Sequence, residues 1–419
     1  MIRAVIPCLA AALAAQDTTF LLRGVTVHPV TGPDVPAASL LVRDGLIASI
    51  ENAKFKPPKG LRVVDAAGLH VYPGMIDSAS TLGLTEIGAV RETSDIAELG
   101  DYDPQLRAVV AVNPASEHFP VARANGITTA ITIPGGGVIS GQAALIHLDG
   151  WTWEEMAITP SAAMLLRFPV LTLMQTGEEG GRPRRVPYAE ARKKYDVALA
   201  KLSRFVEDAR AYQQAKAAKA NTADRRFEAM IPVLEKRIPL VVRAARERDI
   251  RAALDFAAKQ NLRIVLAEPR EFGDTLATVK ERQIPVILGP TFALPIEEDA
   301  PYDSQYSLPG ELHRQGVEFA FGSFDSADVR NLPYQAAAAV GFGLPRDAAL
   351  KALTINPARL WGIADKAGSI EPGKWADLIV TTGDPLETST QVRRLFIRGR
   401  EVSLETRHTR LYEKYLNRP

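Results

Sequence analysis

Several side chains able to do chemistry fall where apolar runs of the sequence end. Asp77, Ser78 and Ser80 follow residues 71–76, Arg243 follows 239–242, and Glu268 follows 263–266. Asp325 follows 318–321, with Asp328 as a rival for that place. Carboxylates accept or release protons, hold hard divalent ions and pair with guanidinium groups. A fixed cation such as Arg243 repels a divalent ion and pairs with a carboxylate, here Asp325 or Glu268. Nitrogen and sulfur donors are scarce. The six histidines are His28, His70, His118, His147, His313 and His408, and none ends one of these runs. His118 and His147 read as loop residues and His313 as part of a helix over 310–315, each a surface or capping group. The one cysteine, Cys8, sits in an apolar N-terminal segment.

The elements that must carry these residues alternate. Residues 126–133, 239–242, 263–266 and 284–288 are continuous apolar runs, and Ile250, Leu254 and Ala257 recur at helical spacing between two of them. Strands apolar on both faces, joined by helical crossovers, predict a parallel sheet closed into a (β/α) barrel. Residues 20–64 instead form short β-prone runs broken by turn residues, with Asp44-Gly45 as a hairpin signal. The same texture returns at 377–380 and 394–397. Neither end can bury a core alone, so the two ends are expected to pair. Residues 188–220 are rich in Lys, Glu and Ala and carry an apolar stripe of Tyr195, Leu199, Leu202 and Val206. They read as a solvated helical insertion. Pro134-Gly135-Gly136-Gly137 lacks the Lys-Ser/Thr continuation of a phosphate-binding loop and reads as a turn. Trp151 and Trp153 read as buried loop packing.

Charge narrows the choice of partner. In 419 residues, 50 basic side chains face 49 acidic ones, for a net charge of +1. Such a balance offers no field to attract nucleic acid or an anionic membrane. Arg3, the apolar residues 4–15 and the small residues before Gln16 read as a signal peptide over 1–15. Export to the periplasm or exterior is therefore expected, leaving a mature chain without cysteine. No later stretch is long and apolar enough to span a bilayer.

Val71-Tyr72-Pro73-Gly74-Met75-Ile76-Asp77 is one distinctive segment. Thr354-Ile355-Asn356-Pro357-Ala358-Arg359-Leu360, followed by residues 368–378, is another. Together they resemble the amidohydrolase superfamily, most of all its imidazolonepropionase-related branch. Asn113-Pro114-Ala115-Ser116 and residues 134–142 extend the likeness. It implies an α/β fold: a TIM-like (β/α)8 barrel over 73–366 with a helical insertion near 188–236. A composite β-sandwich from 16–72 and 367–405, and a tail at 406–419, complete it.

The resemblance also implies a reaction, hydrolysis of non-peptide carbon–nitrogen bonds with one or two divalent metals, commonly zinc. Its metal ligands are two histidines after the first barrel strand, a carboxylated lysine or acid, two further histidines and a late-strand aspartate. Here the first place reads Ser78-Ala79-Ser80, a later histidine place holds Arg243, and Ala267-Glu268-Pro269 supplies no imidazole. Asp325 matches the late aspartate, which binds metal and shuttles a proton. No cofactor is expected on this donor set. The favoured reading is a non-catalytic member, a binding subunit that assembles with itself or with a metal-competent relative. One alternative is an active hydrolase with oxygen ligands Asp77, Glu268 and Asp325, or with no metal. Another is a solute-binding protein that clamps a small carboxylate on Arg243.

Overall fold

The computed structural model describes residues 18–52, 54–175, 184–297 and 299–418, so the expected signal segment lies outside the described residues. Strands β1 (Phe20–Val27), β2 (Val35–Arg43), β3 (Leu46–Glu51), β4 (Arg62–Asp65) and β5 (His70–Pro73) come first. The β2–β3 hairpin turns through Asp44 and Gly45, with φ of 50° and 77°. Positive φ at both central residues matches the right-handed strand twist, as the Asp-Gly pair predicts.

Barrel strands β6 (Met75–Ser80), β7 (Ile127–Thr132), β8 (Ile139–His147) and β9 (Ala157–Arg167) follow. A short pair, β10 (Met174–Gln175) and β11 (Arg184–Arg185), precedes β12 (Leu240–Arg243), β13 (Ile264–Ala267), β14 (Val286–Leu288) and β15 (Phe319–Phe321). Strands β16 (Leu378–Thr381), β17 (Val392–Ile397) and β18 (Arg400–Val402) close the chain, before a final helix at Arg407–Leu416.

The two ends of the chain share one sheet, in the order β18-β17-β16-β5-β1-β2-β3, with β4 on β1. The join is β5 against β16, antiparallel from Leu378 opposite Pro73 to Thr381 opposite His70. Phe20 on β1 and Phe396 on β17 stack with centroids 4.6 Å apart, although two strands separate them in the sheet. The sheet therefore curls around a shared core that includes Leu22, Leu40, Ile47 and Leu378.

The second sheet has eight strands in the order β6-β7-β8-β9-β12-β13-β14-β15 and forms a nearly closed barrel. Loops finish the closure: Phe324 N–H donates to Ala79 O at 2.7 Å, and Thr81 N–H to Asp325 O at 3.2 Å. Side chains alternate across each strand. Val241, Val265 and Ile287 face the barrel interior, while Leu240, Val242, Leu266 and Val286 pack outward under the helices. Both faces are covered, so the runs are apolar throughout.

One strand departs from the expected all-parallel arrangement. β8 is antiparallel to both β7 and β9. Only residues 133–138 separate β7 from β8, too few for a parallel crossover. Gly136 and Gly137, at φ of 78° and 51°, make the reversal. The stretch expected as an insertion is the crossover from β9 to β12, through helices Tyr188–Ala217 and Arg225–Leu234. Leu202, Val206, Met230 and Val233 bury against the barrel, while Lys194–Glu190 and Arg192–Asp196 pair on the exposed face. Trp151 is 81% exposed, contrary to expectation, whereas Trp153 packs on the core. No helix among the described residues is long and apolar enough to cross a membrane.

Candidate functional site

The C-terminal ends of the parallel strands define the barrel mouth, where barrels of this kind carry their chemistry. The inward layer below it is apolar. Ala79, Ile133, Ala267 and Ile287 belong to one buried cluster, and the ring of Phe324 packs against it from above. Of Ser78-Ala79-Ser80, the residue turned inward is thus the alanine. Ser80 is buried and its hydroxyl donates to Ile131 O at 3.1 Å, which ties β6 to β7.

Arg243 and Glu268 form an ion pair across the ends of β12 and β13. The Arg243 guanidinium lies 5.6 Å from the centre of the Phe324 ring, within cation–π range. Two backbone features hold this lid. Phe324 adopts φ of 54°, costly for an aromatic residue, and its bond to Ala79 O pins it there. Glu268 also sits at φ of 54°, with its N–H bonded to Ile287 O. Gly289 leaves the space that its carboxylate arm needs: a Cβ there would lie 3.1 Å from Glu268 Cγ. The cavity beside Glu268, lined by Arg270, Leu288, Thr291 and Leu308, measures about 70 Å³. That is room for a few waters.

Asp77 is fully buried. Its Oδ1 accepts from Ala79 N–H at 3.1 Å and Ser323 N–H at 3.0 Å, which ties the first barrel strand to the last. Its Oδ2 has no partner, nor has the buried Ser78 hydroxyl. Burial pushes the Asp77 carboxyl up to about 7, against the bonds from Ser323 and Ala79 that favour its charged form. Asp325 is employed otherwise. Its Oδ1 accepts from Ala327 N–H at 2.6 Å and Asp328 N–H at 2.9 Å, capping the turn into the helix Asp328–Asn331. Asp328 is exposed and bonded to Asn331. The structure thus gathers Asp77, Arg243, Glu268 and Asp325 at one mouth. Sequence reasoning missed Phe324 and Ser323, because nothing in Gly322-Ser323-Phe324 announces a left-handed aromatic residue.

The histidines lie elsewhere. His28 bonds Asp34 at 2.8 Å and His70 at 2.9 Å and stacks on Tyr72, in the end sheet. Burial lowers its pKa. His118 bonds Glu86 O at 2.8 Å, and His313 and His408 are exposed. His147 is not a loop residue. It ends β8, is buried, and pairs with Asp377 at 3.1 Å. Because β8 runs backwards, that end lies on the face opposite the mouth. Among the described residues, no three His, Cys, Asp or Glu side chains form a group that could hold a metal ion.

Known proteins resemble this chain over most of its length. Residues 235–402 match the amidohydrolase family. The amidohydrolase tasK of Hapsidospora irregularis is 24% identical over 397 residues, and the match covers 86% of this chain but only 39% of that protein. This chain therefore spans well under half the length of that relative. Among solved structures, an amidohydrolase from Thermotoga maritima MSB8 superimposes with a TM-score of 0.79 at 25% identity, covering 92% of this chain and 99% of that one. A molinate hydrolase shares the fold at a TM-score of 0.56 and 14% identity, over 93% and 95% of the two chains. With the barrel and the end sheet found together, these matches make the chain similar to the amidohydrolase superfamily in both sequence and fold.

Proposed function

We propose that this chain is a non-catalytic amidohydrolase-superfamily member, a binding or assembly subunit in which an ion pair stands where relatives hold a metal. The observation that carries the reading is the Arg243–Glu268 pair laid over Phe324. The donor set does not suit zinc, which takes imidazole, thiolate or well-placed carboxylates. The inward side chains at the strand ends include the methyls of Ala79 and Ala267, Asp325 is committed to a turn, and the cation paired with Glu268 is covalently part of the chain. A divalent ion entering here would meet the Arg243 charge and an Asp77 carboxyl that burial keeps near half-protonated at neutral pH. Residues 1–15 support export as the setting for this role.

The test is a hydrolysis screen of hydantoins, small cyclic amides and N-acyl dipeptides, with excess zinc or manganese and without. No turnover above buffer is expected in either arm. Metal-dependent turnover lost in Asp325→Ala would replace this reading with that of an oxygen-liganded hydrolase.

A further inference from the structure

The cavity beside Glu268 admits only a few waters, so a binding role calls for another recess. One lies in the seam between the end sheet and the helix Arg346–Leu353, walled on one side by the loop 28–34 that joins β1 to β2. It measures about 350 Å³, against about 70 Å³ beside Glu268. Recesses of about 300 Å³ and upward are the size that holds small molecules.

Its lining divides by chemistry. Val30, Pro33 and Leu350 make the apolar part, and Asp34 and Lys351 carry the open charges. His28 Nδ1–H donates to Asp34 Oδ1 at 2.8 Å, since an ionised carboxylate only accepts. The same ring then accepts the His70 Nδ1–H on its Nε2 at 2.9 Å. Burial lowers the His28 pKa, so the imidazole is neutral at pH 7 and leaves the Asp34 charge uncancelled. The Asp34 side chain is 60% exposed, and its Oδ2 has no partner among the described residues. The Lys351 side chain is exposed, and its ammonium has no partner among them either. Arg346 is engaged: it donates to Asp384 and to the Tyr72 hydroxyl and pairs with Asp347 at 3.4 Å.

The loop wall is held in a costly shape. Val30 sits at φ of 72°, a conformation that β-branched residues rarely adopt. It packs against the buried cluster that contains Ile355 and Ile363. Thr31 Oγ1 donates to Glu371 Oε1 at 2.6 Å, and Ile370 N–H donates to Pro29 O at 3.3 Å, which fastens the loop on both sides of Val30. Backbone strain kept in place by its surroundings is characteristic of ligand clamps.

We infer that this cleft binds a small zwitterion, a free aliphatic amino acid or dipeptide. Its ammonium meets Asp34, its carboxylate meets Lys351, and its side chain lies on Val30 and Leu350. The inference rests on the proposal of a binding subunit and names the ligand class for it. A plain anion would gain Lys351 but meet the Asp34 charge, and a plain cation would do the reverse. A ligand carrying both charges satisfies both.

The test is isothermal titration calorimetry of the full chain with leucine and alanyl-leucine, beside N-acetyl-leucine and leucine methyl ester, which each lack one charge. Leucine or alanyl-leucine should bind saturably, about fivefold tighter than either one-charge compound, as partly solvated ion pairs allow. Lys351→Met and Asp34→Asn should each weaken that binding about fivefold. Lys351 is exposed, so its variant should keep the wild-type circular dichroism spectrum. No saturable binding of either zwitterion up to about 10 mM would overturn the inference. So would equal binding of N-acetyl-leucine, or binding lost in Arg243→Ala and kept in Lys351→Met, which would put the ligand at the mouth. Hydrolysis is a separate readout: turnover at the mouth with a zwitterion held in the cleft sinks the functional proposal alone, and neither turnover nor binding sinks this inference alone.

Discussion

Replacing Asp77 by asparagine should flatten the pH dependence of stability between pH 5 and 8. Folding raises this carboxyl from 3.8 to about 7, through burial. The unfolded chain therefore loses the proton near 3.8, while the native protein keeps it until about 7. Across that window the native state binds more protons, so its stability falls as pH rises and levels off above 7. At about 1.4 kcal/mol per unit, the loss between pH 5 and 8 comes to roughly 2–3 kcal/mol. Asparagine has no charge to desolvate and keeps an oxygen for the Ala79 and Ser323 N–H groups. Urea unfolding of wild type and variant at both pH values reads the difference directly. Parallel pH profiles would mean that Asp77 ionises as it does in water, and that the mouth is wet or holds a cation against its free oxygen.

Phe396→Ala should cost about 3–5 kcal/mol, the usual range for emptying a buried aromatic site. The ring is fully buried and stacks on Phe20, so a cavity would open between the first and the penultimate strands of the end sheet. Because β5 leads directly into β6, loss of this core reaches the barrel through residues 73–75. One cooperative unfolding transition is expected, with a clearly lowered midpoint. A change below about 1 kcal/mol would contradict the shared core, since surface substitutions alone fall in that range.

Much of the fold was legible because apolar patterning reports burial. The runs at 239–242, 263–266 and 284–288 became β12, β13 and β14, since strands covered on both sides have no polar face to confuse the pattern. Asp44-Gly45 announced its turn through the backbone freedom those residues have. The reversed β8 was not legible, because its alternation between core and interior is the same whichever way the strand runs. His147 was misread with it: the polar surroundings that suggest a loop are those of a strand end meeting Asp377.

At the candidate site, residue types were readable and geometry was not. Arg243 had two candidate partners in the sequence. The structure pairs it with Glu268, because β12 and β13 are in register and Glu268 follows directly after the Arg243–Ala267 pair. Asp325 lost its place to a local competitor: the N–H groups of Ala327 and Asp328 lie within its reach, and Asx-type capping is the easiest use of an aspartate before a turn. Phe324 as a lid depends on a left-handed backbone set by contacts across the barrel, which no local pattern encodes.

Metal analysis by inductively coupled plasma mass spectrometry, on chain purified without chelators and then equilibrated with zinc and manganese, bears most directly on the ion pair's role. Below about 0.1 equivalent of either metal should remain after gel filtration, because among the described residues no imidazole or thiolate reaches the mouth and a guanidinium occupies its rim. One equivalent retained by the wild type and lost in Asp77→Ala or Asp325→Ala would contradict the replacement of a metal centre by Arg243 and Glu268.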